Sequence, residues 1–226
     1  QSPLAKKLLA AALDYAKRGL RVIPITPSES YPPLIKEWQH RATCDPKQIK
    51  EWWATWPEAN LAIATGVASD AIVVDVDMKD GKNGKATLAA LVKQHGGFTT
   101  RKARSPTGGE HYYFKSPGCK IGNRGGFAHG IDFRGDGGYI VVAPSHRNEG
   151  VYAWTNDSDI APCPEWLLKL IETKKSLEVK ATASDADKIV AGGRNTYLAS
   201  LAGSMRNKGA VPEAIHAALI AQNQIK

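Results

Sequence analysis

The chain has 226 residues, 42% hydrophobic and 23% charged, the balance of an ordinary folded chain with room for one sizeable core and a small appendage. No apolar run approaches the ~20 residues of a membrane-spanning helix. Cys44, Cys119 and Cys163 are far apart, odd in number and without a CxxC pair, so neither a zinc knuckle nor a disulfide framework is indicated and a reducing cytoplasm suits the chain. The net charge of +8 permits attraction to nucleic acid without requiring it.

Along the N-terminal segment, Leu4, Leu8, Ala12 and Tyr15 form one helical stripe, with Lys6, Lys7, Asp14, Lys17 and Arg18 off it. That spacing predicts an amphipathic helix ending near Gly19, not a signal-peptide core. Because the chain begins at Gln1 rather than Met, it is read as a piece of a longer protein. Residues 20–25 read as a short buried strand, and a loop rich in Pro and Ser follows. Asp45 then offers an N-cap, Pro46 a first helical residue, Gln48 a capping-box partner, and Cys44 with Ile49 an apolar staple. The helix so begun carries Trp52, Trp53 and Trp56. Such aromatics can stack bases, but a packing face is their commoner use.

Residues 61–64 and 71–76 read as strands joined by a turn at Gly66, and 84–95 as a helix closed by Gly96 and Gly97. Strands are expected at 99–103, 110–114, 130–133, 139–143 and 151–154, with a closing helix at 165–172. The polar stretch 173–190 suits a linker. Helices at 195–208 and 212–223 would then begin a further domain that the chain cuts short.

Three segments carry chemistry. The run Ile72-Val73-Val74-Asp75-Val76-Asp77 ends a β-branched strand in two carboxylates. Residues two apart on a strand share a face, so Asp75 and Asp77 stand close, at a cost unless a cation lies between them. Oxygen ligands on a rigid element suit Mg²⁺ or Mn²⁺ bridging to phosphates. For the pair in isolation, a strand end meeting solvent is the plainer reading. In Ser105-Pro106-Thr107-Gly108-Gly109-Glu110-His111, consecutive glycines let backbone N–H groups approach phosphate oxygens, and the histidine can join them. A glycine hairpin with an incidental histidine is an equal reading. In the third segment, Gly130 to Gly138 leading to Pro144 and Ser145, Asp132 should face opposite to Ile131 and Phe133 and share its face with Arg134. That pair is either a structural ion pair or a metal ligand beside a phosphate-directed cation. Asp136 reads as a turn residue.

The order helix, strand, Trp helix, Asp75–Asp77 pair, glycine–His111 turn, Asp132–Arg134 strand and Pro144-Ser145 resembles the bifunctional primase-polymerase domain of the archaeo-eukaryotic primase superfamily, as found in plasmid and phage replication proteins. The resemblance spans roughly residues 8–170. It includes Tyr15-Ala16-Lys17-Arg18-Gly19 with Val22-Ile23-Pro24, and Gly192-Gly193-Arg194-Asn195 resembles the start of a helical primase C-terminal region.

The resemblance implies an α+β fold, a primase catalytic core of an N-terminal αβ unit plus an RNA-recognition-motif-like unit, followed by a short helical appendage. The implied divisions are 1–172 catalytic, 173–190 linker and 191–226 the start of the helical region. Asp75, Asp77 and Asp132 are implied as catalytic metal ligands for Mg²⁺ or Mn²⁺, and His111 as a contact to the triphosphate. Arg134, Thr107, Ser105, Gly108 and Gly109 are further candidates for nucleotide binding. The implied activity is template-dependent nucleotidyl transfer that makes or extends primers on single-stranded DNA from nucleoside triphosphates. A helicase domain in the full-length protein and a cytoplasmic setting, that of the host for a phage or plasmid protein, go with it. Rival readings are a non-catalytic nucleic-acid-binding module and a metal-dependent nuclease. The chain departs from its relatives in two places: Gly109 stands where many have serine, and Ser30-Tyr31-Pro32-Pro33 lacks a lysine that many carry. Arg101, Lys102, Arg104, Lys120, Arg124 and Arg147 are candidates for a cationic template groove.

Overall fold

Residues 2–28, 30–173 and 216 are described by a computed structural model. The chain divides into two units, Gln1–Glu172 and Thr173–Lys226. The linker expected at 173–190 and the helices expected beyond it lie, but for Thr173 and His216, outside the described residues. Among the described residues no helix is long and apolar enough to cross a membrane.

In chain order the first half contains α1 (Pro3–Lys17), β1 (Val22–Ile25), α2 (Trp38–Arg41), α3 (Pro46–Thr55), β2 (Asn60–Ala64), β3 (Ile72–Val76) and α4 (Gly84–His95). Strands β4 (Lys102–Arg104), β5 (Glu110–Lys115), β6 (Arg124–Ala128), β7 (Ile131–Arg134) and β8 (Tyr139–Val141) follow. Four two-residue strands complete them: β9 (His146–Arg147), β10 (Gly150–Val151), β11 (Ala153–Trp154) and β12 (Ala161–Pro162). A helix then runs over residues 165–173. The class is mixed α+β, as expected.

Two main sheets and a two-stranded β9–β10 ribbon organise these elements. Antiparallel β1, β2 and β8 form a three-stranded sheet in that order. The larger sheet runs β11-β4-β5-β3-β7-β6, with β12 parallel to β5. Its central strand β3 is buried on both sides, which is why Ile72-Val73-Val74 is uninterrupted rather than alternating. Val73, with Ala103 and Tyr113, joins the core shared with α1, α3 and the small sheet. Ile72, Val74 and Val76 face the other way, into a second core with Phe114, Ile131, Phe133 and Leu88 of α4.

Local signals explain most boundaries. The Ser2 hydroxyl accepts from the Ala5 amide to start α1, and the Asp45 carboxylate accepts from the Lys47 amide to start α3. Gln48 does not close a capping box; its amide donates to Glu51 at 3.2 Å. Trp52 and Trp53 are 4% and 0% exposed, and the Trp53 indole donates to the Ala59 carbonyl, so this helix face packs the core. Strand β6 gives no sequence signal because Gly125 and Gly126 interrupt it at a register shift. The strand expected at 151–154 is split because the Tyr152 amide turns to the Ser145 carbonyl.

Candidate active site

Strand β3 lies between β5 and β7, and the register sets Asp75 opposite His111 on one side and opposite Asp132 on the other. Directly opposed residues share a face, so these three side chains form one rung across the sheet. Arg134, two residues past Asp132, stands on the same face, and its Nη2 donates to Asp132 Oδ2 at 2.8 Å and to Asp75 Oδ2 at 3.2 Å. The buried Nε of Arg134 has no partner. The other oxygen of Asp132 accepts from the Gly126 amide at 2.7 Å. The bulged edge strand therefore orients the carboxylate.

Nε2 of His111 lies 3.4 Å from Asp75 Oδ1, too loosely to count as a strong hydrogen bond. The imidazole is 3% exposed. Burial pushes its pKa below the ordinary value and outweighs the opposing pull of Asp75; His111 is therefore neutral near pH 7. Asp77 follows β3 and accepts from Lys82 Nζ at 3.2 Å. That hydrogen bond and charge hold Lys82 above its usual value. The Asp77 backbone is clamped as well: its amide donates to the Gly130 carbonyl and its carbonyl accepts from the Gly84 amide. A Cβ at Gly84 would come within 2.1 Å of that Gly130 oxygen, so only glycine lets α4 begin against this loop.

The turn before β5 is equally tight. A Cβ at Gly109 would lie 2.5 Å from the Val76 carbonyl oxygen and 2.9 Å from Ser105 Oγ. Glycine is thus required there, and the Ser105 hydroxyl, 3.2 Å from that of Thr107, borders the space that a side chain at 109 would fill.

A cleft of about 560 Å³ covers this face. It is lined by Asp75, Asp77, Asp132, His111, Arg134, Ser105 and Thr107, whereas Gly108 and Gly109 shape the adjacent turn without lining it. Tyr31, Trp38, Tyr139 and Arg147 line the cleft as well, the three aromatics among them not legible as site residues. Trp38 meets Tyr139 edge-on at 5.0 Å, and the Arg147 guanidinium lies 5.3 Å from the Tyr31 ring centre. No sequence pattern joins them: Tyr31 lies in a loop, Trp38 begins α2, Tyr139 begins β8 and Arg147 ends β9. Among the six groove candidates, Arg147 alone lines the cleft. Lys102 and Arg104 flank Ala103, the partner of His111, and alternation turns them to the opposite face. Asp136 is structural, its two oxygens accepting from the Val67 and Ile121 amides.

Among the described residues no three His, Cys, Asp or Glu side chains are gathered as a metal-holding group. Arg134 lies between Asp75 and Asp132, and Lys82 sits on Asp77. The donor chemistry still fits a hard divalent cation. Asp75, Asp77 and Asp132 line one cleft, each beside a cationic side chain, and carboxylate oxygens are the donors such an ion takes.

No curated protein compared with the chain matches it. The family model described as bifunctional DNA primase/polymerase, N-terminal, matches residues 12–166, a span holding both sheets and the whole rung, and the chain belongs to that family.

Proposed function

We propose that the cleft is the nucleotidyl-transfer site of a primase-polymerase that makes or extends primers on single-stranded DNA. Family membership implies primase/polymerase activity in DNA replication, with DNA and nucleotides as substrates. The observation that carries the site assignment is the single rung His111–Asp75–Asp132 with Arg134 on the same face.

Asp75, Asp132 and Asp77 would hold Mg²⁺ or Mn²⁺. Bound there, the ions would supply Lewis-acid stabilisation of charge on the reacting phosphate and align it with the primer hydroxyl. Charge balance supports an anionic partner arriving with them. Asp75, Asp77, Asp80 and Asp132 line the cleft against Lys79, Lys82, Arg134 and Arg147, so divalent cations alone would leave it strongly positive. Neutral His111 can donate to a phosphate oxygen without adding charge. The Ser105 and Thr107 hydroxyls offer further donors, and the Gly108–Gly109 turn brings backbone N–H groups to the same end. Tyr31, Trp38 and Tyr139 offer aromatic surface to a base or sugar.

On this reading the small sheet with α1 and α3 is the N-terminal αβ unit, and the large sheet with α4 is the RNA-recognition-motif-like unit. Residues 1–172 are then the catalytic domain and 191–226 the start of a helical primase region, with a helicase domain in the full-length protein and a cytoplasmic setting.

The test is incorporation of labelled nucleotides on single-stranded DNA, with and without primer, in Mg²⁺ and in Mn²⁺. Products without primer establish a primase, and products only with primer establish an extending polymerase. No incorporation alongside tight strand binding overturns the assignment.

A further inference from the structure

The way Arg134 is held is unusual for an arginine between carboxylates. A guanidinium pairs best as a fork, two nitrogens to two oxygens of one carboxylate. Here one nitrogen, Nη2, serves both Asp132 and Asp75, at 2.8 and 3.2 Å, while the buried Nε has no partner. Such pairing offsets one of the two carboxylate charges and leaves the guanidinium undersatisfied. The side chain is 31% exposed and lines the cleft, so it has space to leave. Asp132 would not follow it, because the Gly126 amide holds its other oxygen at 2.7 Å.

Resting on the metal-dependent reading above, we infer that Arg134 is the resident counter-cation of the ion-free site. It occupies the place between Asp75 and Asp132 that a divalent ion takes, and it is displaced when the ion binds. The physical need is plain. Without a cation, directly opposed carboxylates on neighbouring strands repel and oppose folding; with Arg134 present the sheet closes first and the ion exchanges in afterwards. Once displaced, the guanidinium stays in the cleft with its fork free for a phosphate, where Nε gains a partner. Metal and triphosphate binding are thereby coupled through one side chain: the ion takes the anions that Arg134 held, and the nucleotide supplies new ones.

Two consequences separate this role from a structural ion pair. Removing the guanidinium should strengthen ion binding rather than weaken it. It should also reduce the coupling between ion and nucleotide.

The experiment is Mn²⁺ binding to the full chain, followed by the loss of the free-ion electron paramagnetic resonance signal. Unmodified protein, Arg134→Gln and Asp132→Asn are compared, each with and without a non-hydrolysable nucleoside triphosphate. The inference expects Arg134→Gln to bind Mn²⁺ alone about tenfold more tightly, the scale at which a ligand's neighbour alters metal affinity. Triphosphate should tighten ion binding strongly in unmodified protein and much less in Arg134→Gln. Asp132→Asn should bind the ion weakly in every case. Equal or weaker Mn²⁺ affinity in a folded Arg134→Gln overturns the inference alone. Absence of Mn²⁺ binding to the unmodified protein overturns both it and the metal-dependent reading. Should Arg134→Gln fail to fold, the unmodified protein still decides: the Arg134 Nε–H nuclear magnetic resonance signal, assigned by its loss in Arg134→Lys, should shift as Mg²⁺ saturates the site. A signal unmoved by bound Mg²⁺ overturns the displacement.

Discussion

The two faces of the large sheet are made by the same strands and do opposite work. On one, Ile72, Val74 and Val76 of β3 meet Phe114, Ile131 and Phe133 from its neighbours and close on Leu88 of α4. On the other, Asp75 meets His111 and Asp132 from those same neighbours and lines the cleft. The apolar face is tolerant of shape as long as volume is conserved. The polar face is sensitive in function to any change of charge, because Asp75 and Asp132 share the Arg134 guanidinium and Asp77 holds Lys82. Alternation along β3 therefore lets one strand anchor a core and present a reactive rung, with the rigidity of the first lending precision to the second.

Substitutions on adjacent residues of one strand test this division. Asp132→Asn on the polar face should cut nucleotide incorporation on the order of a thousandfold, as loss of a preorganised charged group does, while leaving the thermal unfolding midpoint nearly unchanged. A matching drop in stability would show the two faces not to be separable. Phe133→Ala, one residue along, should do the reverse. Emptying a site that is 1% exposed should cost about 3 kcal/mol or more in urea unfolding, with activity per folded molecule preserved.

Gly84→Ala sharpens the comparison at the junction of the faces. The added Cβ meets the Gly130 carbonyl, so a cost of about 1–3 kcal/mol is expected. Because the same loop clamps the Asp77 backbone, activity per folded molecule should also fall.

The smallest effect lies at the rim of the apolar face, on Glu110, the partner of Val76. Burial alone would raise this carboxyl, but the Tyr112 hydroxyl at 2.5 Å and the charges of Lys102 and Lys85 outweigh it and lower the pKa. A lowered carboxylate contributes stability that is present above its unfolded value and is lost as pH falls through the folded one. Glu110→Gln should therefore be less stable than unmodified protein at pH 7, by a few tenths of a kcal/mol given solvent screening. The two should converge under acid conditions, and a difference persisting there would place the effect in packing instead.

Much of the site was legible because its pieces are local. The pairs Asp75–Asp77 and Asp132–Arg134 could be placed on common faces from spacing alone, and the packing of Trp52 and Trp53 is the commoner use of aromatics on a helix. Strand β6 was invisible, since its glycines carry no alternation, yet its Gly126 amide orients Asp132. Nothing in the sequence separates Arg147 from the other five groove candidates, yet among them it alone lines the cleft, beside Tyr31. Gly109 looked like a departure from its relatives; the closeness of the Val76 carbonyl and the Ser105 hydroxyl shows why glycine stands there.

What the sequence determined by itself is the face each residue takes within its own strand, because the two-residue period of extended backbone is covalent geometry. Which strands became neighbours, and in what register, only the tertiary structure decided. Those pairings join residues distant in the chain, Arg134 to Asp75 across 59 positions, and depend on two cores closing at once. The rung His111–Asp75–Asp132, the Arg134 bridge across it and the aromatic residues that line the same cleft all exist at that level alone.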